Sequence, residues 1–170
     1  MLRLHGVICP IITPFAKDGS LEEDALKTHV EFLIDNGVHG IFPLGTAGEF
    51  ALLSARERRR VVEVTAEATQ GRVPVLAGVS DPGSGNAAEY ARAAEKAGAD
   101  AVVATPPYYY AVDARGVQAH FETIADAVEI PLILYNIPSW THVSIPADVV
   151  LKLAENNYVV AMKHTTNDLA

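Results

Sequence analysis

Apolar residues fall along this chain in two alternating styles. Short, nearly unbroken apolar runs recur at Val7–Ile12, Val38–Leu44, Val73–Val79, Ala101–Ala104, Ile130–Tyr135 and Tyr158–Met162. A run of that length with no helical period reads as a β-strand covered on both faces. Between the runs lie longer amphipathic stretches with helix start and stop signals. Ser20 with Glu23 forms a capping-box pattern that opens a helix to about Asn36, with Leu26, Val30, Phe32, Leu33 and Ile34 facing inward and Gly37 closing it. Ser54 with Glu57 repeats the pattern for a helix to about Gln70. Further helices are predicted from about Asn86 to Ala97 and from about Ala114 to Ala127, and Pro146 starts a short one through Ala154.

Successive strands begin roughly 30 residues apart, the size of one βα unit. Continuous apolar strands separated by helices predict an α/β fold with a parallel sheet. Two architectures satisfy this: an open doubly wound sheet and a (β/α)8 TIM barrel. No Gly-x-Gly-x-x-Gly follows the first strand, which argues against the dinucleotide-binding open sheet. A barrel needs eight units and roughly 250 residues, whereas this chain has 170 residues and six countable strands. An open sheet ending in an uncovered strand would leave an apolar edge. The chain therefore reads as one partial TIM-barrel domain over residues 1–170, carrying about the first six βα units with the C-terminal two missing.

Composition narrows the function classes. Hydrophobic residues make up 49% of the chain, enough for a core. A formal net charge of −8 argues against nucleic acid and anionic membranes as partners. No apolar run approaches the ~20 residues needed to span a bilayer, and no signal-peptide pattern opens the chain, so a cytoplasmic protein is expected. Cys9 is the single cysteine, and it reads as a small buried hydrophobe. The six histidines are scattered without a zinc-binding spacing, so neither a metal nor another cofactor is expected. The Arg58-Arg59-Arg60 run, with Glu57 and Glu63 close by, reads as a solvated helix face.

In parallel α/β folds, ligands sit at the carboxyl ends of the strands. Those ends carry Thr13, the Gly45-Thr46-Ala47-Gly48-Glu49 stretch, Ser80-Asp81, Thr105 followed by Tyr108, Tyr109 and Tyr110, Tyr135-Asn136, and Lys163. The opposite ends carry Gly37, Arg72, Gly98 and Asn157, which read as connectors. Taken alone, a lysine closing an apolar strand is most simply one that snorkels to water. Among hydroxyls and phenols at one rim it becomes a candidate nucleophile, because an amine held in low dielectric loses its charge more readily. With no metal set and no strand-end histidine to act as a base, these residue types suit Schiff-base chemistry on a ketone. Tyr135 can shuttle the protons that imine formation requires. The Gly45–Gly48 stretch can offer backbone N–H groups and one hydroxyl to a carboxylate. Each residue has a plainer reading: a tight strand–helix turn for Thr46, rim packing for the tyrosines, loop capping for Asp81 and Asn136, a structural hydrogen bond for Glu49, a loop anchor for Trp140.

Gly45–Glu49, Pro106-Pro107-Tyr108-Tyr109, Tyr135-Asn136-Ile137-Pro138-Ser139 and Met162-Lys163, in that order, resemble the dihydrodipicolinate synthase and N-acetylneuraminate lyase family. The resemblance runs over the whole chain, and the 28 residues between Tyr135 and Lys163 match the family's spacing of tyrosine and Schiff-base lysine. It implies a class I, pyruvate-dependent aldolase-type enzyme on a TIM barrel. Lys163 would form the imine with pyruvate or another 2-oxo acid. Tyr135 would be the acid/base, with Thr46 and Tyr109 completing a hydroxyl relay. Thr46 and Ala47 would hold the 2-oxo acid carboxylate. Tyr109 would enter a neighbouring subunit's site, which implies a homotetramer or dimer when the chain is full length.

Departures from the family pattern bear on substrate. Ala47 stands where a second hydroxyl residue is usual. Trp140 stands where the synthase branch has an arginine for the second substrate's carboxylate, so a sugar-acid-derived or aromatic aldehyde fits the indole better. His164-Thr165-Thr166-Asn167 replaces an acidic residue and small ones, and His164 should point away from Lys163. A Schiff-base lyase is the leading expectation. A dihydrodipicolinate synthase-type condensation, a 2-keto-3-deoxy sugar acid dehydratase using the same imine, and a ligand-binding regulator on the same barrel are the alternatives.

Overall fold

Each of the six apolar runs holds a strand, and paired strands run parallel. The computed structural model describes residue 2 and residues 4–155 and 158–166. Asn157 and Asn167, singled out above, lie outside the described residues. The chain divides into two compact units, Met1–Gly78 with Ala93–Ala101, and Val79–Arg92 with Val102–Ala170.

The first unit holds β1 (Ile8–Pro10), α1 (Glu23–Asp35), β2 (Gly40–Phe42), α2 (Ala55–Thr69) and β3 (Leu76–Gly78). β1 pairs with β2 through Cys9↔Ile41, and an Ile41↔Val75 bridge joins β2 to the residue before β3. Ile41, Leu26, Val30, Val61 and Val64 are fully buried and form the centre of its core. The Ser54 capping box forms as predicted: its hydroxyl accepts from the Glu57 N–H while the Glu57 carboxylate takes the Ser54 N–H at 2.8 Å. The one at Ser20 does not. Asp18 accepts from both the Ser20 N–H and hydroxyl, and the helix starts two residues later than expected, behind Glu22. Phe32, expected inside, is exposed.

The arginine run is only partly a solvated face. Arg58 is buried, donates Nε–H to the Leu53 carbonyl at 3.3 Å and lies 5.3 Å over the Phe50 ring. Arg60 forks onto Glu23 of α1 through two 2.7 Å bonds and reaches Glu63 and Glu67 on its own helix. Consecutive side chains on α2, about 100° apart around the axis, thus face different surroundings, and Arg59 makes the simple i,i+4 pair with Glu63.

α3 (Ser84–Lys96) and β4 (Ala101–Ala104) have residues in both units. The second unit also holds α4 (Ala114–Ala125), β5 (Leu132–Asn136), a single turn α5 (Pro138–Thr141), α6 (Ala147–Ala154) and β6 (Val159–His164). β5 is buried throughout and pairs with β4 on one side and β6 on the other. α4 turns Val117, His120, Phe121 and Ile124 inward, and α6 adds Val149 and Leu153. Pro146 stands just outside α6 as its N-cap rather than opening it, and α5 was not read from the sequence. β6 differs from the expected strand buried on both faces: its residues alternate between half-buried and exposed, with Val160 and Met162 on the open side. That side borders a groove of about 740 Å³ whose lining includes Ile145, Pro146, Val150, Leu151 and Met162 together with Asn136 and His164.

Candidate functional site

In the second unit the site is built on the β5–β6 ladder. Leu132 pairs with Val159, but Ile133 pairs with Ala161, so Val160 is an extra residue on β6. This bulge advances the register by one place and sets Lys163, not Met162, opposite Tyr135. Tyr135 is buried, and the Lys163 amine lies 3.8 Å from its ring centroid, where the electron-rich face attracts a cation. The Lys163 Nζ also donates to the Thr165 hydroxyl at 2.9 Å. Thr165 is a neighbour that sequence reasoning missed; its signal was its place two residues beyond Lys163, on the same side of an extended chain. His164 takes the other side, as expected, and its Nδ1 meets the Asn136 Nδ2 at 3.0 Å. Asn136 Oδ1 accepts the Ile145 N–H at 3.1 Å, which ties the segment after α5 to the end of β5.

The end of β4 carries Thr105 and the tyrosines. The Thr105 N–H donates to the buried Ser80 hydroxyl at 3.0 Å. His120 of α4 is fully buried beside this turn, with Nδ1 2.9 Å from the Ser84 hydroxyl, while its Nε2 and the Thr105 hydroxyl have no aligned partner among the described residues. Burial pushes the His120 pKa down to about 4, so the ring is neutral near pH 7. Asp81 caps its own loop, accepting from the Gly83 N–H at 2.9 Å and from Asn86 at 3.2 Å. Tyr109 is 83% exposed, packs edge-on against Tyr110 with centroids 4.9 Å apart, and has φ +79, a left-handed conformation unusual for a bulky residue. Trp140 is 68% exposed on α5, which His142 closes in the left-handed region.

Thr46 and Ala47 belong to the first unit. They sit in a loop bracketed by two left-handed residues, Leu44 (φ 60) and Glu49 (φ 54). Inside the loop the Gly48 N–H donates to the Gly45 carbonyl at 3.0 Å and the Glu49 N–H to the Thr46 carbonyl at 3.2 Å. No hydrogen bond is made by the N–H groups of Thr46 and Ala47 among the described residues. The Thr13 hydroxyl, buried at the end of the first strand's segment, donates to the Gly48 carbonyl at 2.7 Å. Among the described residues no cluster of three or more potential metal ligands occurs, and no helix is long and apolar enough to cross a membrane.

Comparison with known proteins shows the family. The model of the dihydrodipicolinate synthetase family matches residues 3–170. The 4-hydroxy-tetrahydrodipicolinate synthase of Pelobacter propionicus is 42% identical over 164 residues, 96% of this chain and 56% of that protein. The crystal structure of dihydrodipicolinate synthase from Aquifex aeolicus superposes with a TM-score of 0.94 at 37% identity, over 97% of this chain and 56% of that one. A prophage protein of the dihydrodipicolinic acid synthase family from E. coli K12, solved in complex with pyruvate, superposes with a TM-score of 0.93 at 34% identity, over 96% of this chain and 55% of that one. These neighbours are TIM barrels, and the chain shares their fold over the part it spans. That part is about half the length of the curated relatives it matches.

Proposed function

Because the chain belongs to the dihydrodipicolinate synthetase family, we propose that it supplies the imine-forming half of a class I lyase acting on pyruvate or a related 2-oxo acid. The observation that carries this reading is the Lys163 amine held 3.8 Å over the ring of the buried Tyr135. The neutral amine attacks the C2 carbonyl, and the carbinolamine oxygen takes a proton from the Tyr135 hydroxyl and leaves as water. The C–O bonds of the ketone are thereby exchanged for a protonated C=N bond. That iminium accepts the electron pair released when C3 loses a proton or when a C3–C4 bond breaks. Return of a proton to C3 and hydrolysis free Lys163. The open N–H groups of Thr46 and Ala47 suit the substrate carboxylate, with the Thr46 hydroxyl serving in the proton relay.

The exposed, backbone-strained Tyr109 supports its use across a subunit interface, in a homotetramer or dimer in the cytoplasm. Trp140, uncharged and exposed, favours a second substrate that is not gripped by an arginine fork, such as a sugar-acid-derived or aromatic aldehyde. Incubating the full chain with pyruvate and borohydride should leave one reduced adduct on Lys163, absent in Lys163→Ala. An unmodified Lys163 after that treatment would sink the proposal. Product analysis on a panel of 2-keto-3-deoxy acids then separates carbon–carbon cleavage from dehydration.

A further inference from the structure

We infer that Thr13 is a positioning residue for 2-oxo acid binding: its hydroxyl clamps the Gly45–Gly48 loop so that the Thr46 and Ala47 N–H groups stay aimed at the substrate carboxylate. This rests on the imine-forming reading above. Three observations in the first unit converge on it. The first is the clamp itself, a 2.7 Å bond from the Thr13 hydroxyl to the Gly48 carbonyl with Thr13 buried. The second is the tightness of the seat. A Cβ added at Gly48 would stand 3.0 Å from the Leu44 nitrogen and 3.1 Å from the Ile11 carbonyl, so the loop lies directly against the segment that carries Thr13. The third is the conformation being held. Leu44 and Glu49 are both left-handed, which an unclamped chain would relax, and between them the N–H groups of Gly45, Thr46 and Ala47 are left without acceptors among the described residues.

The clamp matters more in this chain because of Ala47. Ala47 has no hydroxyl, so at that position the loop offers the carboxylate only its backbone. Recognition by backbone N–H groups depends on the direction in which they point, and a side chain cannot correct a misplaced amide. Thr13 takes no part in the imine chemistry. It acts through the loop, so its loss should weaken binding and spare the imine chemistry.

The test follows the rate of borohydride inactivation of the full chain against pyruvate concentration. Its half-saturating concentration reports binding, and its limiting rate reports imine formation. Thr13→Val keeps the shape and removes the donor; the half-saturating pyruvate concentration should rise about tenfold, with the limiting rate within twofold of wild type. Thr13→Ser, which restores the hydroxyl, should return the half-saturation close to wild type. A Thr13→Val half-saturation within twofold of wild type overturns the inference, and so does a fall in the limiting rate that matches the loss in binding. If Thr13→Val is recovered unfolded, Thr13→Ala carries the same criteria. Absence of any pyruvate-dependent inactivation in wild type would instead overturn the reading on which the inference rests.

Discussion

Acidifying the protein from pH 7.5 to pH 5.0 should remove about 2 kcal/mol of folding stability through His120 alone. The ring is fully buried, and its pKa is pushed from 6.5 down to about 4. Burial is the largest cause; the Thr105 backbone and the Asp81 carboxylate pull the other way without overcoming it. The folded state keeps the ring neutral, while the unfolded chain binds a proton as the pH drops below 6.5. The stabilisation is complete above that value and is lost progressively as the pH falls toward 4. Asp18, Glu23 and Glu57 contribute little in this window. Hydrogen bonds from Ser20, Arg60 and Ser54 hold Asp18, Glu23 and Glu57 below their ordinary values of 3.8 to 4.5, so what they contribute is lost at lower pH. Urea unfolding of wild type and His120→Asn at both pH values measures the effect. Asparagine keeps a polar atom near Ser84 and does not titrate in this range, so the variant should be less stable at pH 7.5 but much flatter between the two values. A variant that loses as much stability as wild type on acidification refutes the assignment to His120.

Two further outcomes are expected. Gly78→Ala would drive its Cβ into the Leu44 carbonyl and disturb the Gly78 N–H bond to Pro43, costing about 2–3 kcal/mol by thermal or denaturant unfolding; a change under about 1 kcal/mol would show that the Leu44 backbone moves freely. Thr165→Val removes the acceptor from the Lys163 amine and should slow pyruvate-dependent borohydride trapping about tenfold, with rescue by Thr165→Ser; wild-type trapping in the valine variant would remove Thr165 from the site.

The alternation of strand and helix was legible because parallel strands buried on both faces leave continuous apolar runs, as β2 to β5 do, while β1 and β6 lie in similar runs without being buried throughout. The Ser54 cap was legible because its partners lie three residues apart and nothing else competes for them. Ser20 shows the limit of that logic: Asp18, two residues before, binds it first. Lys163 and Tyr135 could each be named as strand-end groups, and as a pair from the family resemblance, yet the bulge at Val160 that puts them opposite one another has no signature in an apolar run. Thr13 was visible only as a strand-end hydroxyl. Its partner, the Gly48 carbonyl, is 35 residues away, and a backbone acceptor leaves no trace in the residue types. His120 was likewise one of six scattered histidines until α4 turned it toward Ser84.

The loop between Leu44 and Glu49 also bears on the thermodynamics of binding. A mobile loop that closes on a carboxylate loses backbone freedom at that moment, about 1–2 kcal/mol for each residue it fixes. Here the left-handed ends, the Thr13 bond and the crowded Gly48 fix the backbone before any ligand arrives. Ordering is thus a cost of folding, and the 2-oxo acid anion proposed above would meet little opposition from the ordering of this loop.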